Sequence, residues 1–229
     1  MTSSILDNPI WAALNTGSAS HALGNGRVKY MQRDKGLFVG FKSYHQDEWT
    51  DLDEWLPEQS QIILFVGEEV VIPANWEIKA HRQLLQLVYD SNELPIAPEN
   101  PRATPLSHSD IPAMLDLTRR TNPGPFFSKT IELGYYEGVF SGEKLVAMTG
   151  QRLQPDPYVE ISAVCTDADF VGKGLAAELV RNQVRWIVSK SKVPFLHVNT
   201  DNHRAISLYE KIGFRLRKKI WVYFLEKVS

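Results

Sequence analysis

Apolar and polar positions along the chain follow two regimes, divided by a stretch crowded with proline. Over residues 9–23, Ile10, Leu14, Ala22 and Leu23 recur near helical spacing and stop at Gly24-Asn25-Gly26, which predicts a helix with a glycine stop. Short strand-like runs follow at 27–31 and 37–41, then a helical pattern at 47–56 and the unbroken apolar run Ile62-Ile63-Leu64-Phe65-Val66. Gly24 and Gly26 come after a helix and before a strand, the reverse of the order a phosphate-binding loop needs. Residues 93–105 then hold four prolines in thirteen positions. Proline fixes its own φ and restrains the residue before it, so an extended connector is predicted. A domain boundary is expected there, with a smaller α/β domain over 1–98 and a second domain over 99–229.

The second regime is better punctuated. Residues 109–120 put Ile111, Met114, Leu115 and Thr118 on one helical face, and runs at 134–140 and 144–151 flank Ser141-Gly142-Glu143 as a hairpin would. Residues 158–166 alternate through Val159, Ile161, Ala163 and Cys165, as a strand does. A long amphipathic helix is predicted over 172–190, a strand over 194–199, a helix over 202–212 stopped by Gly213, and closing β-structure over 214–225. The order α-β-β-β-α-β-α-β predicts an α/β (α+β) fold, a mixed sheet with helices packed on it.

Composition acts by exclusion. Hydrophobic residues make up 43% and charged residues 23%, the balance of an ordinary globular chain. No apolar run approaches the ~18–20 residues of a membrane span. The opening segment from Met1 to Asp7 has neither the basic nor the apolar region of a leader, so a cytoplasmic protein without a membrane partner is expected. Cys165 is the lone cysteine and the six histidines show no metal-ligand spacing, so no disulfide framework and no metal are expected. Residues 1–98 carry 7 Lys/Arg against 13 Asp/Glu, and residues 99–229 carry 18 against 14. Either this is surface drift or an anionic ligand favours the second half. With a pI of about 6.3 and no dense basic stripe, nucleic acid is not an expected partner.

Two segments carry candidate chemistry. In the strand-to-helix turn from Val164 to Ala176, Gly172 and Gly174 let backbone approach a ligand without a Cβ in the way. The unpaired amides of the helix that follows suit a pyrophosphate, and Lys173 adds a point charge. The same glycines also make a structural turn, and the segment lacks both the rest of a dinucleotide fingerprint and a P-loop Gly-Lys-Ser/Thr. The second segment is a strand, turn and helix through His197, Asn202, Ala205, Leu208 and Tyr209, ending in Gly213-Phe214.

Together the two segments resemble the GCN5-related N-acetyltransferase (GNAT) superfamily. Its later motif, N-x-x-A-x-x-L-Y-x-x-x-G-F, is matched at Asn202, Ala205, Leu208, Tyr209, Gly213 and Phe214. Its cofactor signature, Q/R-x-x-G-x-G/A, is matched at Gly174 and Ala176, with Val171 where Arg or Gln is usual and Ala168 where proline is common. The resemblance covers about residues 103–226, and 160–176 with the His197 strand is most similar to the FR47-like branch. It implies a splayed mixed sheet, acetyl-CoA as cosubstrate, and direct acetyl transfer to a primary amine of a small molecule or peptide. By position it implies that backbone of Val164, Cys165 and Thr166 pairs with the pantetheine arm and acetyl carbonyl. Amides of Val171, Gly172, Lys173, Gly174, Leu175 and Ala176 then hold the pyrophosphate, Asn202 contacts the cofactor, and Tyr209 is the general acid by the sulfur. For the base, His197 is favoured narrowly over Glu160, since its reference pKa of about 6.5 lies nearer working pH.

Each assignment has a plainer alternative. Asn202 is also a good N-cap, Tyr209 and His197 suit a core, Glu160 suits a paired strand carboxylate, and Cys165 reads as strand packing rather than a nucleophile. The loop 121–128 and hairpin 134–151 are expected to shape the acceptor pocket. The first domain, at most a degenerate copy of the same fold, is expected to be structural or to wall the acceptor side. The competing functions are an acyl-CoA-binding sensor and a catalytically inactive interaction protein on the same fold.

Overall fold

The computed structural model describes residues 4–228; Met1, Thr2 and Ser3, which belong to the segment read for a leader, lie outside the described residues, as does Ser229. In chain order the elements are α1 (Pro9–Asn15), β1 (Ala22–Gly24), β2 (Val28–Met31), β3 (Val39–Phe41), α2 (Gln46–Trp55), β4 (Gln61–Val66), β5 (Trp76–Tyr89) and β6 (Thr104–Pro105). They continue as α3 (Ile111–Thr121), β7 (Glu137–Ser141), β8 (Lys144–Gln151), β9 (Tyr158–Thr166), α4 (Leu175–Ser189), β10 (Val193–Asn199), α5 (His203–Ile212) and β11 (Phe214–Lys227). A three-stranded sheet runs β1-β2-β3, and an eight-stranded mixed sheet runs β4-β11-β5-β10-β9-β8-β7-β6.

Helices cover the centre of the large sheet on both faces, while most of the first half of β5 is exposed. Beneath one face, Leu6 in the turn before α1 and Ile10 and Leu14 of α1 pack onto Phe65, Leu84, Phe195 and Val222, and α3 brings Met114 and Leu117 onto Met148 and Cys165. On the other, α4 and α5 set Val180, Val184, Ile187, Tyr209 and Ile212 against Val159, Ile161, Leu87 and Leu196. β4 explains its unbroken apolar run: Ile63 and Phe65 face α1, while Ile62, Leu64 and Val66 face Trp49 and Leu52 of α2. A strand covered on both sides has no polar face to alternate with. Among the described residues, no helix is long and apolar enough to cross a membrane.

Two sequence expectations change here. The helix expected over 9–23 ends at Asn15, because the chain turns at Thr16-Gly17-Ser18 against Gln154. A Cβ on Gly17 would stand 2.5 Å from the Gln154 carbonyl oxygen. The second change bears on the boundary between 98 and 99. The connector has no helix or strand there, but the sheet is continuous across it, since β5 lies between β10 and β11 and β4 pairs with β11. The N-terminal residues thus supply strands to the sheet that carries the candidate site, together with their own small sheet and helices.

Candidate active site

The centre of the site is a fault in strand pairing. β9 and β10 run parallel and pair only from Tyr158↔Val193 to Glu160↔Phe195. Beyond that point Ile161 to Thr166 have no partner on the β10 side. On the β8 side the register slips between Met148 and Gly150, where Ala163 adopts φ +52°. This bulge kinks β9 and turns its later side chains over. Ile161 packs under α4 whereas Cys165 packs under α3, so Glu160 and Val164 do not share a face.

Two cavities meet at the gap. One, of about 380 Å³, lies on the α4/α5 side against Phe170, Val171, Gly172, Gly174 and Leu175, with Asn202, Arg204 and Leu208 opposite. The other, of about 400 Å³, lies on the α1/α3 side over Phe38, Phe65, Leu84 and Phe224 and beneath the loop from Thr121 to Pro125. Val164, Cys165, Thr166, Asn202 and Tyr209 border both. Residues of the expected loop line the second cavity; no residue of the expected hairpin 134–151 does, and the wall there is Arg152, one residue beyond it.

The turn into α4 has the form an oxyanion group needs. Gly172 and Gly174 take φ +90° and +79°, conformations that side chains bearing a Cβ rarely adopt, and a Cβ on Gly172 would project into open space. Glu178 N donates to the Gly174 carbonyl, and among the described residues the amides from Gly172 to Ala176 have no backbone acceptor, whereas the Val171 amide, expected among the phosphate donors, closes the preceding turn by donating to the Ala168 carbonyl at 3.3 Å. These unpaired amides at the N-terminus of a 15-residue helix fit the pyrophosphate of acetyl-CoA. Lys173 lies 4.1 Å from the ring of Phe170. Arg102, which the sequence reading did not single out, braces the turn: its Nη1 donates to the Lys173 carbonyl at 3.1 Å and its Nε to buried Glu178 at 2.7 Å. Its contribution comes from the proline-rich connector, 71 residues upstream of Lys173, so no local motif marks it.

Asn202 is the N-cap of α5, accepting from Ala205 N at 3.1 Å while also bordering both cavities. Tyr209 is buried at the junction, and burial pushes its phenol up to about 12. Burial likewise pushes the Cys165 thiol up to about 11, which suits packing and not nucleophilic attack.

His197 and Glu160 come together, but inside a closed network. Glu160 is fully buried and accepts from Arg152 Nε at 2.9 Å, Arg152 Nη2 at 2.5 Å and Leu153 N at 3.3 Å. His197 Nδ1 lies 2.6 Å from Glu160 Oε1, and its Nε2 lies 3.1 Å from Gln86 Nε2. The Gln86 amide nitrogen also donates to the Leu6 carbonyl, and its oxygen accepts from Arg217, so it can only donate to His197. The imidazole is therefore neutral with its proton on Nδ1. Burial would raise the Glu160 pKa, but the charge and hydrogen bonds of Arg152, with His197, outweigh it and hold the carboxyl at about 2. Burial lowers the His197 pKa against the pull of Glu160. The two residues expected to compete as base thus have every lone pair near the cavity engaged; Arg152 and Gln86, which engage them, were invisible to spacing arguments. Among the described residues, no group of three or more His, Cys, Asp or Glu is placed to hold a metal.

Comparison with known proteins agrees with this geometry. The FR47-like protein family model matches residues 136–222. The chain is 33% identical to mycothiol acetyltransferase of Corynebacterium efficiens over 86 residues, 37% of this chain and 29% of that protein. It is 32% identical to N-alpha-acetyltransferase RimI of Mycobacterium tuberculosis over 85 residues, 35% of this chain and 52% of that protein. The matches thus span about a third to a half of these curated relatives. The crystal structure of a GNAT-family protein from Novosphingobium aromaticivorans superposes with a TM-score of 0.91 and 30% identity, over 99% of this chain and 100% of that one. That correspondence runs the full length of both chains, strands β4 and β5 included, and the chain belongs to the GCN5-related N-acetyltransferase superfamily.

Proposed function

We propose that this protein is an acetyl-CoA-dependent N-acetyltransferase acting on a primary amine. The observation that carries the reading is the meeting of the two cavities at Tyr209, where the parting of β9 and β10 opens a passage between the faces of the sheet. Acetyl-CoA supplies an activated acyl group on a thiol leaving group. The amides from Gly172 to Ala176 hold its pyrophosphate, and the unpaired β9 edge at Val164, Cys165 and Thr166 offers backbone donors and acceptors along the passage. The acceptor enters from the α1/α3 side. Tyr209 keeps its proton at any working pH and donates it at Oη to the leaving sulfur. The amine's own proton goes to solvent; the closed network around His197 and Glu160 supports a role for them in holding the wall rather than taking the proton. Acetyltransferase activity of the matched relatives agrees with this reading.

The test is thiol release from acetyl-CoA with an amine panel, run beside calorimetry for cofactor binding. Tyr209→Phe keeps the ring and removes the hydroxyl, so kcat is expected to fall roughly 10²–10⁴-fold with cofactor affinity retained. A variant within twofold of the unaltered protein would retire the acid. Binding without thiol release from any amine would point to a sensor, and no binding to an interaction protein.

A further inference from the structure

The acceptor cavity carries charge of one sign. Two guanidinium groups border it, Arg82 of β5 and Arg152 after β8, and among the described residues none of its lining side chains is a carboxylate. Arg152 is committed elsewhere: it pairs with Glu160 and lies over Phe38 and Phe65, at 4.9 and 5.3 Å. Arg82 is exposed, and among the described residues its one marked contact is with the ring of Phe224, 5.3 Å away. Glu77, five residues before Arg82 on β5, and its strand partner Glu226 lie further along the sheet and pair with Lys79.

The register fixes where Arg82 stands. Leu84 pairs with Asn199, the last residue of β10, and Arg82 lies two residues further along β5 on the same face. It therefore sits at the end of the sheet where β9 and β10 part. The floor of the cavity is apolar, formed by Phe38, Ile63, Phe65, Leu84, Val222 and Phe224. A polyamine would bring further positive charge to this wall with no carboxylate to receive it. An amine that also carries a carboxylate has the opposite fit: the guanidinium offers a planar fork of donors matched to two carboxylate oxygens, and the floor takes an apolar side chain.

We propose that the acceptor is a small amine bearing a carboxylate and an apolar side chain, of the α-amino acid class, and that Arg82 binds the carboxylate. This rests on the acetyltransferase reading above. Thiol release is measured with phenylalanine, phenylalaninamide, the dipeptide Phe-Gly and spermidine, on the full chain and on Arg82→Gln and Arg82→Lys. With rates normalised to free amine, kcat/KM for phenylalanine is expected to exceed that for the amide and for spermidine by about tenfold or more, carried mainly by KM. Arg82→Gln should bring acid and amide within about twofold, and Arg82→Lys should restore part of the preference. The dipeptide reads the source: parity with phenylalanine assigns peptide ends as well, and a lower rate assigns the free amino acid. If the amide or spermidine is used as well as the acid, the acceptor class is overturned while the transferase stands. If acetyl-CoA binds and no amine releases thiol, both are overturned.

Discussion

Replacing Glu160 by Gln tests whether the carboxylate is a base or a counterion. The side chain is fully buried and holds the guanidinium of Arg152, itself largely buried. Its carboxyl sits at about 2 against an ordinary 4.5, a difference worth about 3 kcal/mol of folding stability at neutral pH. The independent expectation for breaking a buried pair, roughly 3–5 kcal/mol, agrees. Because the folded pKa is depressed, this stability is complete above about pH 4.5 and drains away as pH falls toward 2, with about half gone near pH 3. Glu160→Gln should therefore melt about 6–12 °C lower at pH 7. The gap in denaturant-derived stability should narrow through acid, since the unaltered protein loses what the variant never had. Meanwhile the acid limb of kcat/KM should keep its midpoint. A variant within about 1 kcal/mol of the unaltered protein at pH 7, or a gap still undiminished at pH 2, would refute the counterion role. Loss of the acid limb would return Glu160 to the part of base.

Three further outcomes are expected. Gly174→Asp sets a Cβ at φ +79° and a negative charge among the phosphate-binding amides, and calorimetry should show acetyl-CoA affinity lowered by about tenfold or more. A fragment of residues 99–229 lacks the strand between β10 and β11, so circular dichroism and melting should show no cooperative fold. Cys165, buried and with its thiol pushed up to about 11, should resist iodoacetamide at pH 7.5 and react only in denaturant; rapid labelling of the native protein would contradict its place in the core.

The C-terminal half was legible because its helices are amphipathic, and because the turn at Gly172–Gly174 and the Asn202–Phe214 segment are each local. β5 was missed for a local reason as well. From Lys79 to Leu87 it is dense in Lys, Ala, Arg, Gln and Leu, residues that favour helices, and its burial alternates only in parts. What makes it a strand is the pair of neighbours on either side, which tertiary context supplies and propensity does not. The same limit hid Arg102, Arg152, Gln86 and Arg82, whose partners or cavity walls come from distant segments. The proline-rich connector holds no helix and no strand before Thr104, yet such a segment also carries the chain from one strand to another without ending the sheet.

The position of β5 governs the order in which the molecule can be made. Both of its edges are closed by strands more than 100 residues downstream, Leu84 against Asn199 on one side and Ile220 on the other. At a synthesis rate of about 5–20 residues per second, the ribosome leaves this strand unpaired for about ten seconds after it emerges. Through that interval a long segment with two open edges and an apolar stretch at Leu84–Tyr89 is available for wrong pairing, between chains as well as within one. Assembly is thus gated by the last strand, β11, and its contacts are mostly non-local, which predicts slow folding for the size of the chain and a yield that depends on crowding of nascent chains and on holding chaperones.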